Sequence, residues 1–231
     1  MQRRFAVDRR VAGGGFAVAA IVVLSAVASA RAPLPAVDIR DPAAARDLVA
    51  LMRAGERGSW IASYDFTRTL ANGRTLRESR REGRTPELHV LIGGSVMTID
   101  QGDRSYDCTL VGERSGCKES IAGATLPPSE VLRVAVSVGA YDVVRRPDTT
   151  IAGIRARCFQ VLATGHGGLP DLGVETDQCL SASGISLRQT VVRPPGIVDE
   201  EVATAVQQSA TNADLDALAA SFAPNPLNAQ R

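Results

Sequence analysis

Trp60-Ile61-Ala62-Ser63-Tyr64-Asp65-Phe66-Thr67 is the stretch on which the fold turns. Trp60, Ala62, Tyr64 and Phe66 share one parity, and Ser63, Asp65 and Thr67 take the other. Successive strand side chains point to opposite faces, so this pattern predicts a half-buried β-strand. Asn72-Gly73 follows, a pair suited to a tight hairpin turn, and residues 76–82 read as a polar return strand. A second hairpin is predicted over 88–92 and 96–99, turning at Gly93-Gly94. Gln101-Gly102-Asp103 then leads into a strand over 104–110 that holds Cys108. The connections are short, so sequential antiparallel pairing is the economical topology.

Helical signals flank this region. Asp41-Pro42 offers an N-cap acid followed by proline at the first helical position. Leu48, Val49, Leu51 and Met52 continue at helical spacing, and Gly55 and Gly58 are positioned to end the helix. Pro127-Pro128 breaks the chain, and Ser129-Glu130 can cap a helix running from Val131 towards Val144. That segment is apolar around most of its circumference, which predicts burial against a sheet. After Pro147, strands are predicted over 150–163, 174–180 and 185–192, with a glycine-rich loop over 164–173. Residues 200–210 and 214–220 read as short helices, and the chain beyond Pro224 as a frayed tail. Strands and helices are segregated, which argues α+β, with the first helix and the 131–144 helix covering one face of the meander.

The N-terminus carries a different message. Arg3, Arg4, Arg9 and Arg10 precede an uncharged run from Val11 to Ala30 that ends in Ala28-Ser29-Ala30. A basic flank, an apolar core and a small-x-small site form an export signal. The same run has the length of a membrane-crossing helix, whose arginines would stay inside. Residues 1–30 are therefore a cleaved signal peptide or a single-pass signal anchor, 31–40 a proline-stiffened linker, 41–223 one domain and 224–231 a flexible tail. Either reading places the domain outside the cytoplasm, secreted or anchored in the cell envelope. No cysteine near the run offers a site for lipid attachment.

The whole chain has a net charge of +1. Residues 1–30 hold those four arginines against Asp8, so their loss leaves about −2. A near-neutral domain makes no case for nucleic-acid binding, which needs a basic stripe. The four cysteines fall into local pairs, Cys108 with Cys117 and Cys158 with Cys179. In an exported chain an even count reads as disulfides, and the local pairing is favoured over the two alternatives. Neither spacing resembles Cys-x2-Cys, so no metal is expected.

Catalytic patterns are sparse. His89 sits within a strand, where a solvent-facing or hydrogen-bonded histidine is the ordinary case, and His166 sits in the glycine-rich loop without a ligand partner at suitable spacing. Met97 stands where a nucleophile elbow needs its second glycine. No phosphate-binding loop, dinucleotide fingerprint or His-Glu-x-x-His occurs, and neither enzymatic activity nor a cofactor is expected. Arg74, Arg77, Arg80, Arg81 and Arg84 form the densest basic segment, interrupted by Glu78 and Glu82. It reads as a solvated outer strand whose charges discourage edge aggregation, with contact to anionic headgroups as the functional alternative. Trp60, Tyr64 and Phe66, with Tyr106 and Tyr141, read as core or as the wall of an apolar groove.

The order of elements resembles the bacterial lipoprotein-carrier (LolA-like) superfamily, including actinobacterial envelope relatives that bind glycolipids. The resemblance rests on the initial helix running into Trp60–Thr67, the hairpin at Asn72-Gly73, and Gly93-Gly94-Ser95-Val96-Met97-Thr98-Ile99-Asp100. It continues with the helix after Pro127-Pro128 and with late strands around Ile154-Arg155-Ala156-Arg157-Cys158-Phe159 and Gln178-Cys179-Leu180. It implies a strongly curved antiparallel half-barrel with helices closing its concave side, and a non-enzymatic protein that carries an acylated lipid or lipoprotein in an apolar groove. The lining implied comprises Trp60, Tyr64, Phe66, Val90, Ile92, Met97 and Ile99 on strands, with Leu132, Val136 and Leu187. The alternatives are a membrane-anchored envelope sensor that acts by contact with a membrane-protein partner, and a hydrolase with a non-local site.

Overall fold

The computed structural model describes residues 41–109, 116–121, 126–165, 169 and 172–222. Residues 1–40, on which the expected export signal and linker fall, His166, and residues 223–231 with the expected tail lie outside them. The chain opens with α1 (Pro42–Arg57), capped as expected: the Asp41 carboxylate accepts from the N–H groups of Ala43 and Ala44 at 2.9 and 3.0 Å. Six strands follow: β1 (Trp60–Thr69), β2 (Thr75–Arg84), β3 (Leu88–Gly93), β4 (Val96–Gln101), β5 (Arg104–Thr109) and β6 (Gly116–Ile121). After α2 (Pro128–Ser137) come β7 (Tyr141–Ile151), β8 (Ile154–Ala163), β9 (Glu175–Leu180), β10 (Ser186–Arg193) and β11 (Ile197–Gln207), then α3 (Asn212–Ala220).

All eleven strands form one antiparallel sheet in the order β6-β5-β4-β3-β2-β1-β11-β10-β9-β8-β7. It is two meanders, β1–β6 and β7–β11, joined where β1 pairs with β11. The sheet is open, and it curves strongly enough to bring β7 near β11 although three strands separate them. This is the α+β, curved-sheet architecture expected. The cysteines pair locally, each bridge joining directly opposed positions: Cys108 with Cys117 across β5 and β6, Cys158 with Cys179 across β8 and β9.

Four expectations need correction. The second helix stops at Ser137 rather than near Val144. Gly139 takes φ +72 and the Ala140 N–H reaches back to the Ala135 carbonyl, a left-handed helix stop that glycine favours. The helix buries one face only, leaving Val134 and Val138 exposed. Residues 141–151 extend as β7, and the stretch read as one strand over 150–163 turns at Ala152-Gly153. Residues 197–207, read in part as a helix, form β11, where pairing with β1 and β10 on both sides overrides the helical preference of their Glu and Ala content. The arginine-rich β2 is an inner strand between β1 and β3, so its charges do not guard an edge.

Register shows which faces the helices cover. One face carries a row across seven strands, in direct pairs: Arg145, Phe159, Gln178, Gln189, Glu201, Phe66 and Glu78. At the β7–β9 end of this face α1 and α2 bury Tyr141, Val143, Phe159, Val161 and Leu180 beneath Leu48, Leu51 and Leu132. The opposite face is covered at the other end, where α3 sets Leu215 and Leu218 over Val90, Ile92, Met97, Ile99 and Tyr106. The two halves of the sheet are thus roofed on opposite sides.

α1 ends in unusually close contact with the turn before β10. A Cβ on Gly55 would lie 2.2 Å from the Gly184 carbonyl oxygen, and one on Gly184 would lie 1.9 Å from that of Leu51. Gly55, expected to end the helix, is therefore buried inside it, and Gly58 provides the cap. Gly55→Ala forces backbone apart and is expected to lower unfolding stability by about 1–3 kcal/mol. Gly116→Ala, where an added Cβ meets nothing within 4 Å, should leave the urea midpoint almost unchanged.

Candidate functional site

Of the ten residues expected to line one groove, nine divide among three clusters and Phe66 lies apart from them. Val90, Ile92, Met97 and Ile99 pack beneath α3, with Met97 and Ile99 fully buried. Trp60, Tyr64 and Leu187 join Ala62, Ile185, Ala203 and the Cys158–Cys179 bridge in a second cluster. Leu132 and Val136 belong to the α1–α2 layer. Phe66 faces the bare half of the sheet, where it borders an open depression with Leu91 and Val96. Direct pairing of Trp60 with Arg84, and of Arg84 with His89, puts Trp60 on the face opposite Val90. Trp60 also donates its indole N–H to the Gly55 carbonyl at 3.0 Å, tying β1 to α1.

A mostly apolar open cleft lies between α1 and α2. Its volume is about 420 Å³, within the range of small-ligand sites. Pro42, Ala45, Val49 and Ala50 recur at helical spacing along one side of α1, and Val136 and Ser137 form the facing wall. Leu132, fully buried, belongs to the packed layer of the same two helices. The rim carries Arg46, Arg53 and Arg133. Glu130 accepts from both Arg53 and Arg133, the latter at 2.7 Å, and these two guanidinium groups hold its carboxyl below the usual range, Arg133 contributing most. Of the ten expected residues, Val136 lines this cleft. The arginines were not singled out, although the spacing of Arg46 and Arg53 on the capped first helix was the signal that could have found them.

The bare half of the same sheet face is charged. The Arg80 guanidinium lies 3.3 Å from the centre of the Phe66 ring, donates to Glu78 at 2.7 Å and approaches Glu201 to 3.8 Å. Arg68 forms a two-pronged pair with Asp199 at 2.6 and 2.8 Å, and Arg193 pairs with the same carboxylate. Burial pushes the Glu201 carboxyl up to about 7, reinforced by the Glu82 charge and opposed by Arg80. Burial also raises the Tyr64 phenol, with Glu82 and Glu201 adding to it, so Tyr64 stays neutral and donates to the Ser186 carbonyl at 3.0 Å. His89 is the hydrogen-bonded strand histidine expected, held between Glu82 at 2.9 Å and Asp100 at 3.1 Å. Burial alone would lower its pKa, but the bonds to Asp100 and Glu82 raise it overall. Among the described residues no group of three His, Cys, Asp or Glu side chains is arranged to hold a metal ion.

No protein-family profile matches this sequence, and no curated protein matches it. Solved structures do. The crystal structure of MucB superposes with a TM-score of 0.51 at 15% identity, over 73% of this chain and 60% of that one. The Pseudomonas aeruginosa MucA/MucB complex gives 0.51 at 14% identity, over 74% of this chain and 60% of that one. This chain thus spans about 60% of the length of those structures. A LolA superfamily protein from Nitrosomonas europaea aligns over 73% of this chain and 94% of its own, at 8% identity and a TM-score of 0.33, too loose to carry an argument. The property shared with MucB is the fold, a curved antiparallel sheet with helices.

The raised Glu201 pKa sets a pH dependence. A carboxyl whose folded pKa lies above its unfolded value contributes stability that is complete below about 4.5 and is lost as pH rises through about 7. Glu201→Gln is therefore expected to be more stable than the parent at pH 8, by about 1–3 kcal/mol. The difference should shrink towards zero near pH 4 in urea denaturation of the two proteins side by side.

Proposed function

We propose that this protein is an exported, non-enzymatic module of the cell envelope that binds the acyl chain of a lipid or lipoprotein in the cleft between α1 and α2. The observation that carries this reading is the cleft itself: aliphatic walls from Ala45, Val49, Ala50 and Val136, open to solvent between two packed helices. Each methylene moved from water onto such a surface contributes about 0.8 kcal/mol. Release then needs only a competing apolar site, such as a membrane. In this reading Val136 meets the chain and Leu132 backs it. Trp60, Tyr64, Phe66, Val90, Ile92, Met97, Ile99 and Leu187 set the shape of the sheet that supports the helices.

The disulfides and the signal-like N-terminus support an extracytoplasmic setting, secreted or anchored through residues 11–30. No helix of the described residues is long and apolar enough to cross a membrane, so an anchor would fall on that segment. Binding calls for no cofactor and no chemistry on the ligand.

A second reading, docking to a membrane-protein partner, draws on the bare sheet half. There Leu76 is 51% exposed and Val96 46%, beside Phe66. The fold is also shared with MucB, which has been solved with MucA. Retention of residues 1–30, read by N-terminal sequencing of the exported protein, would favour this alternative.

The first reading predicts that Val136→Asp, at a half-buried position, weakens binding of a fluorescent long-chain fatty acid at least tenfold in a variant whose thermal melt still shows cooperative unfolding. Lipids co-purifying with the folded domain and identified by mass spectrometry should include single acyl chains. Unaltered affinity in the folded variant would remove the cleft from the binding site.

A further inference from the structure

We propose that the α1–α2 cleft selects an anionic single-chain amphiphile, with its carboxylate or phosphate head seated on Arg46. This rests on reading the cleft as the acyl site and adds the chemistry of the head. The argument is an imbalance of charge along the rim. Three guanidinium groups border the cleft, and one carboxylate, Glu130, faces them. Glu130 is already shared between Arg53 and Arg133, so that end of the cleft is closed by a paired cluster. Arg46 stands apart. It is exposed and has no hydrogen-bond or ion-pair partner among the described residues. Its neighbour Asp47 points elsewhere, to Arg145 on β7 at 3.7 Å.

The two ends are well separated. Arg46 and Arg53 are seven residues apart on one helix, about 10 Å along its axis. Between them the cleft offers Val49 and Ala50 on α1 and Val136 on α2. An amphiphile lying along this groove would bury its first methylenes on those side chains and leave its head beside Arg46. The planar, permanently charged guanidinium suits two-pronged recognition of carboxylate or phosphate. The occupant is thus a free monomeric amphiphile, and a neutral ester of the same chain is the natural comparison.

The test uses cis-parinaric acid, its methyl ester and the matched alkyl phosphate, titrated by fluorescence at pH 8 and low salt into the purified protein. The acid and the phosphate are expected to bind at least tenfold more tightly than the ester. Arg46→Gln should abolish that preference, Arg46→Lys should keep part of it, and Arg46→Glu should reverse it. Arg46 is exposed, and a thermal melt confirms that each variant is folded. If the acid and the ester bind alike, or if Arg46→Gln keeps the preference, the head-group assignment fails while acyl binding stands. If none of the probes binds, the acyl reading falls with it.

Discussion

The antiparallel pairing of β1 with β11 is the contact on which the molecule depends. It runs from Ile61 opposite Gln207 to Thr69 opposite Val198, interrupted by a bulge after Ser63. Every other strand pair joins neighbours in sequence, so each meander can assemble from local contacts. Only this seam makes one sheet of the two. It lays Phe66 beside Glu201 and Arg68 beside Asp199, and so creates the charged face between the halves. Neither disulfide spans it: both bridges staple strands within a single meander.

The seam also explains why the helices lie where they do. α1 precedes β1 and is fastened to it by the Trp60 indole and to the β9–β10 turn by the Gly55–Gly184 contact, so it lies over the second meander rather than its own. α3 follows β11 and crosses to the first meander, where Leu215 and Leu218 close the apolar face of β3 to β5. Each terminal helix thus roofs the half that the opposite end of the chain built. The part of the sheet left bare is the part where polar side chains are satisfied by one another, as in the Arg80, Glu78 and Glu201 group.

Much of this was legible in the residues. The parity of Trp60 to Thr67, the glycine turns at 73, 94 and 102, and the Asp41-Pro42 cap each specify a local conformation, and each was formed. The cysteine spacing gave the correct bridges because cross-strand neighbours within a meander lie close in sequence. What local pattern could not reveal was decided at a distance. Residues 197–207 carry helix-favouring Ala, Glu and Gln, and become a strand because two partners are already in place beside them. Gly139 ends α2 through a left-handed conformation that the apolar run around it does not reveal. The ten apolar positions were recognisable as buried, but parity within a strand does not say which face another strand's buried set shares. The register places Trp60 and Val90 on opposite sides.

The late arrival of β11 has a consequence for synthesis. Thr204 donates to the Ser63 carbonyl, 141 residues earlier in the chain. Until β11 docks, β1 has β2 on one flank and an open hydrogen-bonding edge on the other, with Trp60, Tyr64 and Phe66 along the strand. Such an edge can recruit a strand from another nascent chain.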